Sequence, residues 1–412
     1  MSRALVPVII IIAVAARIAV GVSLDTGLRF PDSHDYARIA ENVLAGDGPR
    51  LNERTVANRG PGYSYFLAGI IGIARVAAPD ARLESSPGLV IVIRIVQALI
   101  SGALCWIVYR IGRRLFSPEA GMAAAAVAAL DPVLAYFSVL VLSETLFAAL
   151  LAGAVLCLLK TGDGGMRWAV ACGMLLGLSA LVRPPVLLLI PVLLGVWLAV
   201  NRSRTGIRTA LAAGIVALAV ISPWPIRNYR HTGRPVFTTL SAGASLYEGT
   251  CPEADGGPAM EKITWPAEIA GMNEVEKNGF LRAKAVGCMR ADPVRMIRLA
   301  GSKLARFWNI FPNFGTYRQA SYMVVSALHV LPVMVCVAIG LALWRGRPAA
   351  AVVLAVPAVY FSLLHMVFVG SIRYRAPVMP LLGVFAGAGI VAVLQRFHVM
   401  RRAGGSRGAE VF

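Results

Sequence analysis

The sequence predicts an all-α protein that crosses a lipid bilayer many times, and three observations predict it. Of 412 residues, 58% are hydrophobic and 15% charged, with a mean hydropathy of +0.70. That leaves too little polar surface to coat a water-soluble globule. Ten apolar runs punctuate the chain, most of them close to the ~20 residues that cross a hydrocarbon core of roughly 30 Å. Lys and Arg cluster at alternate ends of these runs, the pattern that keeps short loops in the cytoplasm.

The first run, 7–24, has a lone Arg3 before it and no small-residue cleavage site behind it, and many further runs follow. It therefore reads as a retained anchor rather than a signal peptide. A polar first outer loop, 25–87, comes next. Its first helix is expected over about 33–45, with Asp32 or Ser33 as N-cap, apolar Tyr36, Ile39, Ala40, Val43 and Leu44 at helical spacing, and Gly46 ending it. Its second is expected over about 62–77, after the Gly60-Pro61 break. Segment 61–77 is apolar enough for an eleventh span, but counting it would move Arg110, Arg113 and Arg114 to the outside, so it is read as lying on the outer surface.

Spans over 88–108, 120–137, 145–159, 168–181, 185–200 and 207–221 follow, the fifth and sixth of the ten being split only by Arg183-Pro184-Pro185. With the N-terminus inside, the Arg110 to Arg114 cluster, Lys160, the basic residues of 202–208 and 345–347, and the tail with Arg396, Arg401, Arg402 and Arg407 all fall on the cytoplasmic side. Region 223–320 then lies outside despite its many Lys and Arg, because loops beyond about 60 residues escape that bias. Within it, 238–266 is rich in Gly, Pro and Ser and reads as loop, whereas 268–290 and 293–308 have helical patterning. Spans 322–343, 350–369 and 377–394 complete the chain. The expected organisation is a membrane module over 1–222, an outer region over 223–320, and C-terminal spans with a basic tail over 321–412, without a repeat of fixed period.

Several function classes lose support at this point. The net charge of +19 belongs to inner loops that would face anionic lipid, and no nucleic-acid motif accompanies it. There is no P-loop, no dinucleotide fingerprint and no Cys or His cluster at zinc spacing. Cys105, Cys157, Cys172 and Cys336 fall in spans as small core residues, while Cys251 and Cys288 share the outer region, as a disulfide or as two free thiols.

The polar outer stretches carry the chemistry-bearing residues. Asp32-Ser33-His34-Asp35-Tyr36, with Ile39, Ala40, Asn42 and Gly46 behind it, precedes Arg59-Gly60-Pro61-Gly62-Tyr63. Ser143-Glu144 opens the fourth span, Pro223-Trp224-Pro225-Ile226-Arg227-Asn228-Tyr229 follows the seventh, and Arg373-Tyr374-Arg375-Ala376-Pro377 precedes the last. In order and in common outer placement this set resembles the GT-C superfamily of polyprenyl-phosphate-sugar-dependent glycosyltransferases. That group includes the protein O-mannosyltransferases and the lipid A aminoarabinose transferase.

The resemblance implies a GT-C-like bundle and an inverting transferase at the periplasmic face of a bacterial inner membrane. It would take a sugar from an undecaprenyl-type phosphate and pass it to a lipid, glycan or protein acceptor. Asp32 matches the family's acidic position for the base that takes the acceptor proton, with the alternative of a helix cap. Asp35, about one turn on, would orient the acceptor or raise the Asp32 pKa. Glu144 matches the second acidic position, to contact the acceptor or help hold a metal; the plain alternative is a carboxylate reaching water at the interface. Arg59, Arg227, Arg373 and Arg375 are the candidates for binding the leaving phosphate, since a guanidinium fork takes phosphate oxygens in pairs. Arginines beside spans also serve as headgroup anchors.

Tyr36, Tyr63 and Tyr374 are the candidate sugar contacts; Tyr63, Tyr374 and Trp224 equally suit the interfacial aromatic belt. Arg17 and Arg94, inside spans near the outer boundary, would snorkel. Asp131, before Pro132, reads as part of a turn. No cofactor beyond the lipid-linked donor is expected, and a divalent cation at Asp32 and Glu144 stays an open alternative. The competing classes are a flippase of lipid-linked sugars and a non-catalytic scaffold. A flippase needs polar residues along a path through the spans, and these spans hold few.

Overall fold

In the computed structural model, which describes residues 2–258, 260–312, 319–344 and 348–407, the chain is built from helices packed side by side. An isolated bridge between Asn52 and Thr55 is the β-pairing seen among the described residues. The N-terminal half comprises α1 (Ser2–Ser23), α2 (Pro31–Leu44), α3 (Pro61–Ala74), α4 (Pro87–Leu115), α5 (Pro118–Leu130), α6 (Pro132–Ser138), α7 (Glu144–Gly164), α8 (Met166–Val182), α9 (Val186–Val200) and α10 (Arg204–Ile221). The outer region contributes α11 (Pro223–Thr232), α12 (Ala242–Glu248), α13 (Glu274–Ala291) and α14 (Pro293–Phe307). The C-terminal part is α15 (Ala320–Ala342), α16 (Pro348–Val367), α17 (Ile372–Arg375) and α18 (Met379–Arg407).

Proline sets many of the starts: Pro31, Pro61, Pro87, Pro118, Pro132, Pro223 and Pro293 each open their helix. There the missing N–H is not needed and the fixed φ is already helical. Among the described residues six helices are long and apolar enough to cross a bilayer, seven if the α5–α6 pair counts as one span. All ten apolar runs are helical, yet α8, α9 and the apolar part of α16 fall short of a full span. The chain is a multi-pass membrane protein.

α7 and α18 are the most enclosed spans, whereas α1, α10 and α15 turn exposed apolar side chains such as Ile11, Leu211 and Leu328 outward, where lipid covers them. Without water to drive association, membrane helices pack through small residues. A Cβ on Gly173 of α8 would come within 2.4 Å of the Ala213 carbonyl oxygen of α10, and one on Gly387 of α18 within 2.3 Å of the Ala120 carbonyl oxygen of α5.

Four sequence expectations change, and the alternative left open for Cys251 and Cys288 is decided. The single span 120–137 is bent by 59° between α5 and α6. Asp131 makes the break: it caps α6, accepting from the N–H groups of Val133 and Leu134 at 2.8 and 3.0 Å. Arg17 and Arg94 do not snorkel. Arg17 donates to the Ala128 and Ala129 carbonyls at the end of α5, and Arg94 to those of Gly21, Leu24 and Asp25 at the end of α1. Each satisfies carbonyls that a helix C-terminus leaves without partners. The seventh span runs on into α11, and the 238–266 loop contains α12. Cys251 and Cys288 are both free thiols. The basic stretch 345–347 lies outside the described residues.

The outer region is fastened to the segment that leads into α17. Gly370 donates its N–H to Gly256 at 2.8 Å, Lys303 its ammonium to Val367 at 2.7 Å, and Trp308 its indole N–H to Ser362 at 3.0 Å. Burial pushes the Lys303 ammonium down to about 8.

Candidate active site

Asp32 lies in the first turn of α2, one residue past Pro31, and Phe30 takes the cap position without a side-chain bond. Asp32 therefore caps nothing. Its Oδ1 lies 2.7 Å from Arg59 Nη2, and its Oδ2 accepts from Arg373 Nη2 at 2.7 Å. Arg59 also donates through Nε and Nη2 to Asp35 Oδ2, at 2.9 and 2.8 Å. One fork thus holds both carboxylates of α2. Burial alone would raise the Asp32 pKa, but Arg373 and Arg59 outweigh it and hold it down to about 2. Burial would lower that of Arg59, and Asp32, Tyr36 and Asp35 keep it above its ordinary value.

Arg59 is brought here by the glycines behind it. A Cβ on Gly60 would approach the Leu181 carbonyl oxygen to 2.5 Å, and one on Gly62 would meet Val182 Cγ2 at 2.8 Å. The start of α3 can press on the end of α8 only because both positions lack a side chain. At that end Arg183 is extended, as a residue before proline must be.

Arg183 is the member of the cluster that sequence reasoning missed. Its guanidinium pairs with Glu144 Oε1, the oxygen that also accepts from Arg373 Nε. Glu144 is 1% exposed and opens α7, where the helix dipole favours a carboxylate. Its Oε2 is buried without a hydrogen-bond partner. Arg373, whose own N–H is bonded to Ser371 Oγ at the start of α17, joins the two halves, bridging Asp32 and Glu144 across its fork. The structure thus brings together Asp32, Asp35, Glu144, Arg59, Arg373 and Arg183.

Other expected site residues lie elsewhere. Arg227 donates to the Val56 carbonyl at 2.6 Å and stacks over Trp224, clamping the first outer loop. Arg375 is 2% exposed and donates to the Asn309 carbonyl at 2.8 Å. Neither points its charge at the cluster, because backbone carbonyls already hold it. Tyr63 is fully buried and donates to Gln97 Oε1 at 2.8 Å; Tyr36 packs edge-on against it, with its hydroxyl 3.5 Å from Ser143 Oγ. Both are core residues beneath the site rather than surfaces for a sugar. Tyr374 stacks on His365 at 4.3 Å. Trp224 is buried, its indole N–H donating to the Thr238 carbonyl at 2.6 Å. No group of three or more His, Cys, Asp and Glu able to hold a metal occurs among the described residues.

The all-helical membrane bundle, with carboxylates and guanidiniums gathered at one end, shares its fold with solved GT-C-like membrane proteins. The family model described as dolichyl-phosphate-mannose-protein mannosyltransferase matches residues 88–226, less than half of the chain. Among solved structures, the chain is similar to the apo oligosaccharyltransferase of Archaeoglobus fulgidus, with a TM-score of 0.60, 15% identity, and coverage of 99% of this chain and 52% of that one. It is also similar to the archaeal oligosaccharyltransferase AglB from the same organism, in complex with an inhibitory peptide and a dolichol-phosphate, at a TM-score of 0.56 and 14% identity over 96% of this chain and 52% of that one. ArnT from Cupriavidus metallidurans bound to undecaprenyl phosphate matches at a TM-score of 0.43 and 19% identity, over 91% of this chain and 77% of that one, a likeness too loose to argue from. The chain spans about half the length of the oligosaccharyltransferases it matches. No curated protein matches it.

Proposed function

We propose that the protein is an inverting glycosyltransferase that takes a sugar from a polyprenyl-phosphate donor at the periplasmic face of a bacterial inner membrane, with both termini cytoplasmic. One observation carries the reading: Asp32 sits between Arg59 and Arg373, and Glu144 beneath Arg373 and Arg183, at a single focus. A transferase of this class needs a carboxylate for the acceptor proton and fixed cations for the departing phosphate. The start of α2 and the start of α7, both anion-favouring, lie at the same place.

In the resting enzyme Asp32 is too acidic to be an effective base. The donor phosphate changes that: its oxygens compete for Arg59 and Arg373, and its negative charge beside Asp32 raises the proton affinity of the carboxylate. Asp32 then accepts the proton of the acceptor hydroxyl. The acceptor oxygen attacks the anomeric carbon from the face opposite the phosphate, the bond from that carbon to the phosphate oxygen breaks, and its electron pair leaves on the phosphate. Arg59, Arg373 and Arg183 receive the growing charge. Glu144, enclosed under the guanidiniums, holds Arg373 and Arg183 in place rather than meeting the acceptor. Asp35 shares Arg59 and fixes its fork. The outer region, 223–320, shapes access for the acceptor, whether lipid, glycan or protein.

The test incubates purified protein with a labelled polyprenyl-phosphate sugar and follows release of polyprenyl phosphate. The wild type is expected to release it, and Asp32→Asn to do so at least ~10²-fold more slowly, the usual worth of a positioned base, with unchanged helix content. An Asn variant as active as the wild type removes Asp32 from the chemistry.

A further inference from the structure

The stretch of chain that delivers Arg59 to the carboxylate cluster has no regular structure of its own. Residues 56–59 lie in neither helix nor strand, so their backbone polar groups must find partners elsewhere. For Val56 and Ala57 all four are met by the outer region. Glu274, in the first turn of α13, accepts through Oε2 from the N–H of Val56 at 2.9 Å and from that of Ala57 at 3.0 Å. Arg227 of α11 donates to the Val56 carbonyl at 2.6 Å, and Leu240 its N–H to the Ala57 carbonyl at 2.9 Å. Ala57 is buried against Trp224, Val236 and Leu240.

Two residues separate this strap from Arg59, at most about 7 Å of chain. On the other side of Arg59, Gly60 and Gly62 press on the end of α8. The guanidinium is thus aimed from between two fixed points, one of which Glu274 holds. A simpler role for Glu274 is available, because a carboxylate in a first turn favours the helix dipole. Glu276 already meets that need, completing a capping box with Asn273. Nor does the dipole require a side chain of α13 to reach two amides 217 and 218 positions away. Burial raises the Glu274 pKa against the pull of the Ala57 and Val56 N–H groups and of Arg227, and its Oε1 is buried without a hydrogen-bond partner. One oxygen of the carboxyl is used, as an acceptor.

We propose that Glu274 is a positioning residue for Arg59: by holding both N–H groups of the strap it aims the guanidinium at the phosphate of the lipid-linked donor. The outer region then acts on donor binding and not on acceptor access alone. The assignment rests on the reading of Arg59 as a phosphate ligand, and the experiment separates the two.

Purified full-length protein is titrated with polyprenyl phosphate, which carries no sugar, and amide hydrogen exchange is followed over residues 54–60. Glu274→Ala should weaken binding about tenfold and speed exchange at Val56 and Ala57. Glu274→Gln keeps an acceptor oxygen at the same reach and should bind within about threefold of the wild type. Glu274→Asp keeps the charge at the helix start but is one methylene short, so it should behave as the Ala variant does, and it replaces that variant should the latter fail to fold. Added to Arg59→Gln, Glu274→Ala should weaken binding no further, because a residue that acts through Arg59 has nothing left to position. An additive loss overturns the proposal, as does an Asp variant that binds like the wild type or a Gln variant as weak as Ala. Unchanged exchange at Val56 and Ala57 overturns it whether or not lipid binds. A wild type that binds polyprenyl phosphate yet releases none from a labelled donor sinks the transferase reading and leaves the positioning of Arg59 standing. A wild type that does not bind it removes the phosphate role of Arg59 and this assignment with it.

Discussion

Asp32 meets its two guanidiniums through different oxygens, so both lone-pair faces are engaged and the carboxylate is held ionised far below neutrality. The consequence is a pH-dependent contribution to stability. The folded-state pKa of about 2 lies below the ordinary 3.8. The contribution is therefore complete above pH 3.8, is lost as pH falls through 2, and amounts to about 2 kcal/mol. The gap in thermal midpoint between wild type and Asp32→Asn should be widest at pH 5 and narrow steadily below pH 3.5. A gap independent of pH would show that the pairs hold no charge-linked energy. Of the arginines that sequence proposed for the phosphate, Arg59 and Arg373 lie in this cluster, whereas Arg227 and Arg375 are spent on the carbonyls of Val56 and Asn309. Distance from a bilayer boundary is legible in sequence; whether a backbone carbonyl has claimed a guanidinium is not. Arg183 was legible in principle, because a positive residue in a short outer connection gains nothing from insertion. Its place between two apolar runs, ahead of Pro184-Pro185, disguised it as a span break.

Two glycines decide where α3 sits against α8. The helices of the first outer loop were readable because their signals are local: the Gly60-Pro61 break, the apolar spacing from Tyr36 to Leu44, and Gly46, which takes φ 85° just past the helix end. The close approach at Gly62 was not readable, because it depends on a partner more than a hundred residues away. The bend between α5 and α6 was half legible: Asp131-Pro132 reads as a turn, but the apolar run on both sides of it reads as one span, 120–137, and the 59° angle depends on the cap that Asp131 gives α6. Gly62→Ala should push α3 off Val182 and carry Arg59 away from Asp32. Overpacking of this kind costs about 1–3 kcal/mol, small enough for the bundle to stay folded. The variant should keep its helix content while its apparent KM for the lipid-linked donor rises roughly tenfold or more, read from initial rates of polyprenyl phosphate release. Unchanged donor kinetics would mean that the contact between α3 and α8 does not position the arginine.

At the scale of the molecule, residues 341 positions apart, Asp32 and Arg373, meet through one hydrogen bond, and the outer region makes that meeting possible. Lys303, Trp308 and Gly256 fasten it to Val367, Ser362 and Gly370, which fixes the approach to α17 before Arg373 enters the site. Overall architecture was legible because hydropathy and the basic clusters act over whole spans. Long-range pairing was not, because each partner looks like an isolated interfacial charge. The architecture separates two ends: Glu144 and Lys160 lie about 24 Å apart along α7 at helical rise, with the carboxylate cluster at one end and Arg110, Arg113, Arg114 and Lys160 around an open hollow at the other. On the proposed topology that basic end is cytoplasmic, and single cysteines test it in a variant whose six native cysteines are replaced. Asp47 in the first outer loop and Arg204 at the start of α10 are both exposed. A membrane-impermeant maleimide should label Asp47→Cys in intact spheroplasts, and Arg204→Cys only after the membrane is opened. The reverse pattern would turn the bundle over, place the carboxylates on the side where nucleotide sugars are made, and remove the reason for a lipid-linked donor.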